Sequence, residues 1–509
     1  MKKILIYLLP VCLLAASCKK FLEETSPDEI RPSSTEDLYA FMISDAYPYA
    51  ASLEFFSDML TDDVKSYGMP RNSNGTINTA YSSFYENGKG VFAFDPLELE
   101  GSTGTASTAL DAWKNYYSRI KGCNIVIDYA AKVKGSDQAK DALRGQALVL
   151  RGFYYLKLAQ LYCLPYNGAG VQPETALGLP LILTMQVSDE HVGRSTLQAT
   201  FNQIEKDMVD GAALLKANFT APTPFRLSHI AAYALLSRFY LYRGMDADMD
   251  KVIEYADEVI AERPALTLLK GFVTSNTSLN TVGIYDQTAS TEVLWQYGFN
   301  SKGISTFMPA TGTYTSFHAP YAVSDELRNI YEKGNGTDNK GDLRYALNFA
   351  KYTVSGAEFP SRSLKIGLNG TAGDKGIRTG EVYITRAEAC ARRFKKSGQD
   401  ADRVQALSNL NTLRLSRYDT RTAAYTPVSF TDADALLRFC TDERRREMSL
   451  EEGSRWADIK RQGLSVTHNF IDAEGNSTIY TLPANSPLYA LPIPVTAISR
   501  NNNLVPNPR

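Results

Sequence analysis

The chain has 509 residues, 44% of them hydrophobic and 22% charged, enough for one large domain or two to three ordinary ones with a proper core. Its formal net charge is −2, with acids and bases interspersed, so it has no basic stripe for a phosphate backbone and nucleic acid is excluded as a partner class. Four histidines and six cysteines are scattered without CxxC or zinc-ligand spacing, and neither a metal site nor a cofactor motif is legible.

In chain order, residues 1–17 read as a secretory signal. Lys2 and Lys3 precede an apolar run over 4–14 broken by Pro10, and Ala15, Ala16 and Ser17 lead directly to Cys18. The run is too short for a permanent membrane span. A cysteine straight after small residues resembles a bacterial lipobox, whose thiol is acylated with palmitate-type chains at the new amino terminus. Cys18 is therefore the expected lipidation site, with an ordinary signal peptide and a chance cysteine as the alternative. Several chains on one residue can hold a protein at a membrane. No later stretch is long and apolar enough to span; the best is 179–185. Residues 18–34, charged and polar with Pro27 and Pro32, read as a lipid-anchored tether.

From residue 35 to 509 the pattern predicts a mostly α domain of tetratricopeptide-type helical hairpins interrupted by loop-rich parts. The hairpins are expected mainly over 35–60, 105–265 and 380–465, and the variable parts over 66–105 and 270–375. Trp113 to Tyr129 and Ala142 to Tyr162 make one helical pair. Leu197, Phe201, Ile204, Met208 and Leu215 form a single stripe. Ala231, Leu235, Phe239 and Tyr242, closed by Gly244, are followed by Val252, Ala256 and Val259 and then Pro264. Helix, glycine turn, helix and proline within about 34 residues is the length of a tetratricopeptide unit. The design recurs with Ile384, Ala387, Ala391 and Phe394, then Ser397-Gly398, then Ala406, Leu410 and Leu413. Cys123, Cys163, Cys390 and Cys440 each fall within an apolar helical pattern and are expected as buried free thiols.

Residues 67–108 and 274–320 break the helical pattern with Gly, Ser, Thr and Asn and interspersed aromatics, as functional loops do. Short strands are expected over 293–299 and 352–354, and the proline-rich tail over 479–509 is expected to lie extended on the surface of the helices. Tyrosine is abundant, 30 against 3 tryptophans; its ring offers an apolar face with a polar edge.

Several local strings now become recognisable. Arg144-Gly-Gln-Ala-Leu-Val-Leu-Arg151-Gly-Phe-Tyr-Tyr155-Leu-Lys-Leu158 resembles the signature helix of the SusD/RagB family of Bacteroidetes outer-membrane lipoproteins, and Gly178-Leu179-Pro180-Leu181 the short loop that follows it. Glu381-Val-Tyr-Ile-Thr385-Arg386-Ala-Glu388-Ala, Asn411-Thr-Leu-Arg414, Glu443-Arg-Arg-Arg446-Glu447, Gly453-Ser-Arg455-Trp-Ala-Asp458-Ile-Lys-Arg461, Leu491-Pro-Ile-Pro494 and the stretch from Asn503 to Pro508 are similar to later landmarks in the family's order. With Cys18 and Phe21-Leu22 the resemblance runs over nearly the whole chain.

The resemblance implies tetratricopeptide-type helical hairpins supporting a loop-rich, variable ligand-binding part, in a lipoprotein on the outer membrane, facing the exterior, that binds oligosaccharide, or in some members peptide, and delivers it to a SusC-like TonB-dependent barrel. One departure is that Lys19 and Lys20 precede Glu23 and Glu24, whereas surface-exported lipoproteins of this group often carry acids first. The charged residues of the strings, Arg144, Arg151, Glu388, Glu443, Arg446, Glu447, Arg455 and Asp458, are expected to form networks that fix one hairpin on another. Trp113, Trp295 and Trp456 are expected in the core.

Ligand contacts in the family come from two broad regions that match the irregular segments, without a motif that transfers any single residue. Sugar rings present C–H faces to aromatics and hydroxyls to polar side chains. The first segment offers Tyr67, Tyr81, Phe84, Tyr85, Phe92 and Phe94 with Arg71, Asn74 and Asn78; the second offers Tyr314, Phe317, His318 and Tyr321. For each ring, local loop packing is the competing role. GxSxG, P-loop, HExxH and strand-to-helix GxGxxG motifs are missing, so binding without turnover is expected. The rivals are a periplasmic tetratricopeptide-type protein-interaction scaffold and a surface hydrolase built on two carboxylates.

Overall fold

The computed structural model describes residues 32–49, 53–54, 56–72, 74–102, 110–186, 190–273, 282–298, 319–335, 339–354, 357–367, 373 and 375–508, with only the backbone described over 351–354 and 357–362. Cys18 and the signal fall outside the described residues. The first helix, α1 (Thr35–Phe41), starts on a capping box in which Ser34 Oγ accepts from Asp37 N and the Asp37 carboxylate accepts from Ser34 N. α2 spans Ser82–Phe92. The hairpin scaffold then runs through α3 (Ala112–Ala130), α4 (Asp137–Tyr162), α5 (Leu197–Asn218), α6 (His229–Arg243) and α7 (Asp248–Glu262), and resumes with α8 (Thr379–Ser397), α9 (Asp400–Arg417), α10 (Ala433–Met448) and α11 (Ser454–Gln462).

Local chemistry fixes these boundaries. Ser136, Thr196 and Ser228 each accept a backbone N–H three residues on, capping α4, α5 and α6. Gly244 and Gly398 end α6 and α8 in left-handed conformation (φ 76° and 70°), which glycine adopts without steric penalty. Neighbours stack in order: α3 on α4, α4 on α5, α6 on α7, α7 on α8, and α8 on both α9 and α10. Arg151 of α4 makes a two-point contact with Asp207 of α5, both distances 2.7 Å, and its Nη1 reaches Asn124 Oδ1 of α3 at 2.9 Å. One side chain thus ties three helices. The four expected thiols are buried and free, and Trp113, Trp295 and Trp456 are buried in the core. No helix among the described residues is long and apolar enough to cross a membrane.

Short strands pair antiparallel in twos: β1 (Val64–Ser66) with β3 (Tyr321–Val323), β2 (Val293–Tyr297) with β6 (Lys375–Arg378), β4 (Phe349–Val354) with β5 (Ala357–Ser363), and β7 (Val466–Ile471) with β8 (Ser477–Leu482). Beneath β2 and β6 lies a charged interior. Arg417 of α9 bridges Glu292 (2.7 and 2.8 Å) and Glu447 of α10 (3.0 and 2.8 Å), Arg378 bridges Glu447 and Glu451, and Arg344 bridges Asp342, Glu443 and Glu447. Paired guanidinium and carboxylate groups satisfy one another here, where a lone charge would be prohibitive.

Three expectations need correction. Residues 82–92 are helical because Tyr85, Gly88, Val91 and Phe92 fall on one face at helical spacing, a pattern masked by the glycine- and serine-rich composition. The tail is clamped into the fold rather than laid on it. Its Ser477–Leu482 stretch is β8, Tyr489, Leu491 and Ile493 are buried, and Asn507 donates to the carbonyls of Tyr162 and Leu491. Arg144 is exposed and outside the expected network, while Arg151, Glu388, Glu443, Arg446, Glu447, Arg455 and Asp458 are in it.

Candidate ligand-binding cleft

The β1–β3 ladder brings the two irregular segments together. Lys65 stands opposite Ala322 and Ser66 opposite Tyr321, and Tyr67 N donates to Pro320 O at 2.8 Å. β7 packs beside β1. Between them opens a cleft of about 510 Å³ with three walls: Asp62 to Tyr67 on one side, Asp325 and Glu326 on the second, and Thr467, His468, Asn469 and Ile471 of β7 on the third, with Phe92 at the base.

Two charged groups of this cleft, Lys65 and Asp325, are engaged with each other, and Asp62 with Arg455 behind it. Lys65 Nζ lies 2.5 Å from Asp325 Oδ2 and 4.7 Å from the centroid of the Tyr67 ring. Arg328 Nη1 reaches Asp325 Oδ1 at 3.0 Å. The Lys65 ammonium holds the Asp325 carboxyl below the usual carboxylate range. Burial, aided by the negative charge of Asp325, pushes the Tyr67 hydroxyl up to about 12, so the ring stays neutral throughout the ordinary pH range. Asp62 accepts two bonds from Arg455, at 2.8 and 2.7 Å.

The third wall rests on His468. Its ring lies against Phe92 (centroids 3.9 Å apart, 7° between planes) and against Phe94 (4.7 Å, 14°). Nδ1 is 2.6 Å from Phe92 O and Nε2 is 2.9 Å from Thr61 O, so one imidazole joins β7, the end of α2 and the approach to β1. Burial pushes its pKa below the ordinary value, opposed by the two carbonyls.

Two other clefts, of about 470 Å³ between residues 164–177 and the tail and of about 420 Å³ beside His229 and Glu262, draw on other parts of the chain. Neither is built from both irregular segments.

Residues 20–241 match the SusD-like family described as "Starch-binding associating with outer membrane", and residues 329–509 match the SusD family. The chain belongs to the SusD family. A relative of this SusD-family chain, SusD-like protein P2 of Formosa agariphila, is 23% identical over 432 residues, which is 78% of this chain and 79% of that protein. Among solved structures, a SusD superfamily protein from Bacteroides thetaiotaomicron superposes with a TM-score of 0.67 at 22% identity, covering 94% of this chain and 100% of the other. A SusD-like carbohydrate binding protein from Bacteroides vulgatus gives 0.66 at 20%, covering 93% and 97%. These likenesses establish the mostly helical fold.

Around this cleft, the expected binding residues separate by position. Tyr67 lines it, half-buried. Phe92 lines its base with a fully buried ring, and Tyr321 is fully buried behind it, donating its hydroxyl to Tyr85 O at 3.0 Å. Tyr81, Tyr85 and Phe94 are also buried, and Phe84 is half-buried with its ring centroid 6.1 Å from that of Tyr81. Arg71 is exposed and donates to Gly75 O and Ala473 O, docking its loop on the β7–β8 turn. Asn74 accepts from Thr76 and Asn78 from Ala80, both local turn contacts. Tyr314, Phe317 and His318 fall outside the described residues. Sequence reasoning missed Lys65, Asp325 and the β7 wall. The signal for β7 was present: Val466, His468 and Phe470 alternate with Thr467 and Asn469 ahead of an Asp-Ala-Glu-Gly-Asn turn.

Proposed function

We propose that this protein is a lipoprotein, anchored through Cys18 on the outer face of the outer membrane, that captures oligosaccharide in the cleft beside Tyr67 and hands it to a SusC-like TonB-dependent barrel without chemical change. Matches to starch-binding, outer-membrane-associated proteins of the SusD family support the class of ligand and the compartment. The observation that carries the location is the convergence of both irregular segments at β1 and β3, where an aromatic ring stands among donors and acceptors. The cleft carboxylates Asp62 and Asp325 are each ion-paired, which favours holding a ligand over proton transfer.

Titration calorimetry with the mature chain, its lipid site replaced, should show heat with at least one glycan of a broad panel and no new reducing ends after prolonged incubation. Tyr67→Ala should weaken that binding about tenfold, in line with loss of a stacking ring. Protease treatment of intact cells should digest the protein; full protection would favour the periplasmic scaffold instead.

A further inference from the structure

The charged groups around the cleft are equal in number, and all but Glu326 stand in ion pairs. Arg455 makes its two-point contact with Asp62, and Arg445 reaches Asp62 at 3.3 Å and Asp63 at 2.7 Å. Asp325 is shared by Lys65 and Arg328, and Glu326 stands exposed at the rim. Asp62, Asp63, Asp325 and Glu326 thus balance Lys65, Arg328, Arg445 and Arg455. Among the described lining residues Lys65 is the cation, and its ammonium is already committed to Asp325.

We propose that the cleft selects uncharged oligosaccharides, with Lys65 and Asp325 as the specificity-determining pair, an inference that rests on the glycan-binding reading above. A sulfate or uronate that takes a donor of Lys65 must lie beside the Asp325 carboxylate and Glu326. Like charges so placed repel, and one ammonium is then shared between two anions. A neutral sugar needs no such sharing. The ammonium donates, the carboxylate accepts, and two neighbouring hydroxyls can bridge them while the charges stay paired. The same ammonium stands over one face of the Tyr67 ring, so a sugar hydroxyl held by Lys65 lies beside that ring, and a C–H face can stack only on the part of the ring that Lys65 leaves uncovered. Because no ion pair is opened, binding is insensitive to salt.

The test is calorimetry on the mature chain with neutral malto-, xylo-, manno- and laminari-oligosaccharides, and with oligogalacturonates and sulfated oligosaccharides of matched length, in about 50 and 300 mM salt. The expected result is binding of a neutral member, unchanged by salt, with charged counterparts at least about tenfold weaker. Asp325→Asn strips Lys65 and Arg328 of their carboxylate and should narrow that gap about fivefold in favour of the anionic ligands. Lys65→Met should weaken neutral binding about fivefold with no anionic gain, and circular dichroism checks that both variants are folded. Equal or tighter binding of anionic glycans by the unaltered protein, lost in Tyr67→Ala, overturns the selectivity and leaves the glycan-binding reading standing. Binding of neither kind, or binding indifferent to Tyr67→Ala, overturns the cleft reading itself and the selectivity with it.

Discussion

Gly88 of α2 lies directly beneath the ring of Tyr321, so close that a Cβ on it would stand 2.4 Å from Tyr321 Cε2 and 3.0 Å from the Met59 methyl. The absence of a side chain at Gly88 is what allows β3 to settle on α2 and the two irregular segments to meet. Tyr321 is fully enclosed, so it has nowhere to retreat.

Gly88→Ala should therefore destabilise the protein by about 1–3 kcal/mol through overpacking, although alanine is the better helix former. Urea denaturation measures this. Adding Tyr321→Leu should recover part of the loss by making room, and Tyr321→Leu by itself should destabilise by leaving a cavity. Equal stability of Gly88→Ala and the parent would mean that the β3 ring is not wedged against α2.

The buried network predicts a larger effect. Arg417→Met removes the guanidinium that joins Glu292 to Glu447 and leaves Glu292 with the Thr267 N–H at 2.8 Å and, as its remaining ion pair, a 3.5 Å contact to Arg378. Breaking a buried pair from one side costs about 3–5 kcal/mol, because the remaining charge is left uncompensated. Arg417→Met combined with Glu292→Met should regain much of that, whereas Lys251→Ala, at an exposed i,i+3 pair with Glu254, should change stability by less than about 0.5 kcal/mol.

The same network sets an acid limit. Burial raises the Glu443 and Glu451 carboxyls, but Arg344 and Arg414 around the first, and Arg378 and Lys365 around the second, override it and hold both at about 2. A depressed carboxyl contributes stability that is fully present above its ordinary value of 4.5 and is lost as pH falls through the folded value. Urea midpoints should fall steadily from about pH 4.5 toward pH 2, and Glu443→Gln should flatten that slope. A midpoint constant over this window would show that these carboxylates are not held by their partners.

The hairpins were legible because their signals are local. Ile384, Ala387, Ala391 and Phe394 share a face of α8, and Ser397-Gly398 supplies the turn into α9. The charged interior was legible only in part. Glu443 and Glu447 stand in a recognisable string, but Arg378 comes from a strand end 69 residues from Glu447, and Glu292 from another strand end, 125 residues from Arg417, and no spacing rule links them. The cleft was hardest to read. Tyr67 and Phe92 are both rings in a polar-rich stretch, but Tyr67 follows β1 at the cleft whereas Phe92 ends the buried face of α2. The α2 periodicity of Tyr85, Gly88 and Phe92 was the available clue to which rings face inward.

His468 gives a prediction in which sign matters. In the fold its pKa lies below 6.5 because burial penalises the charged ring, despite two facing carbonyls and the nearby Asp62. The unfolded chain therefore takes up the proton first as pH falls. The stability contributed by neutral His468 is complete above about pH 6.5 and is lost progressively on acidification toward the folded pKa. Substituting His468→Gln keeps a donor for one carbonyl and removes the titration. The stability difference between parent and variant should shrink as pH is lowered from about 7.5 to 5, tracked by urea midpoints at each pH. Because His468 holds β7 through its stack on Phe92 and Phe94 and, when neutral, donates to one of the two carbonyls Phe92 O and Thr61 O, the variant should also weaken glycan binding at pH 7.5 more than Thr467→Ala does on the same strand. A stability difference independent of pH would mean that the imidazole titrates alike in the folded and unfolded chains, and the wall would then owe its position to the Phe92 and Phe94 stack instead.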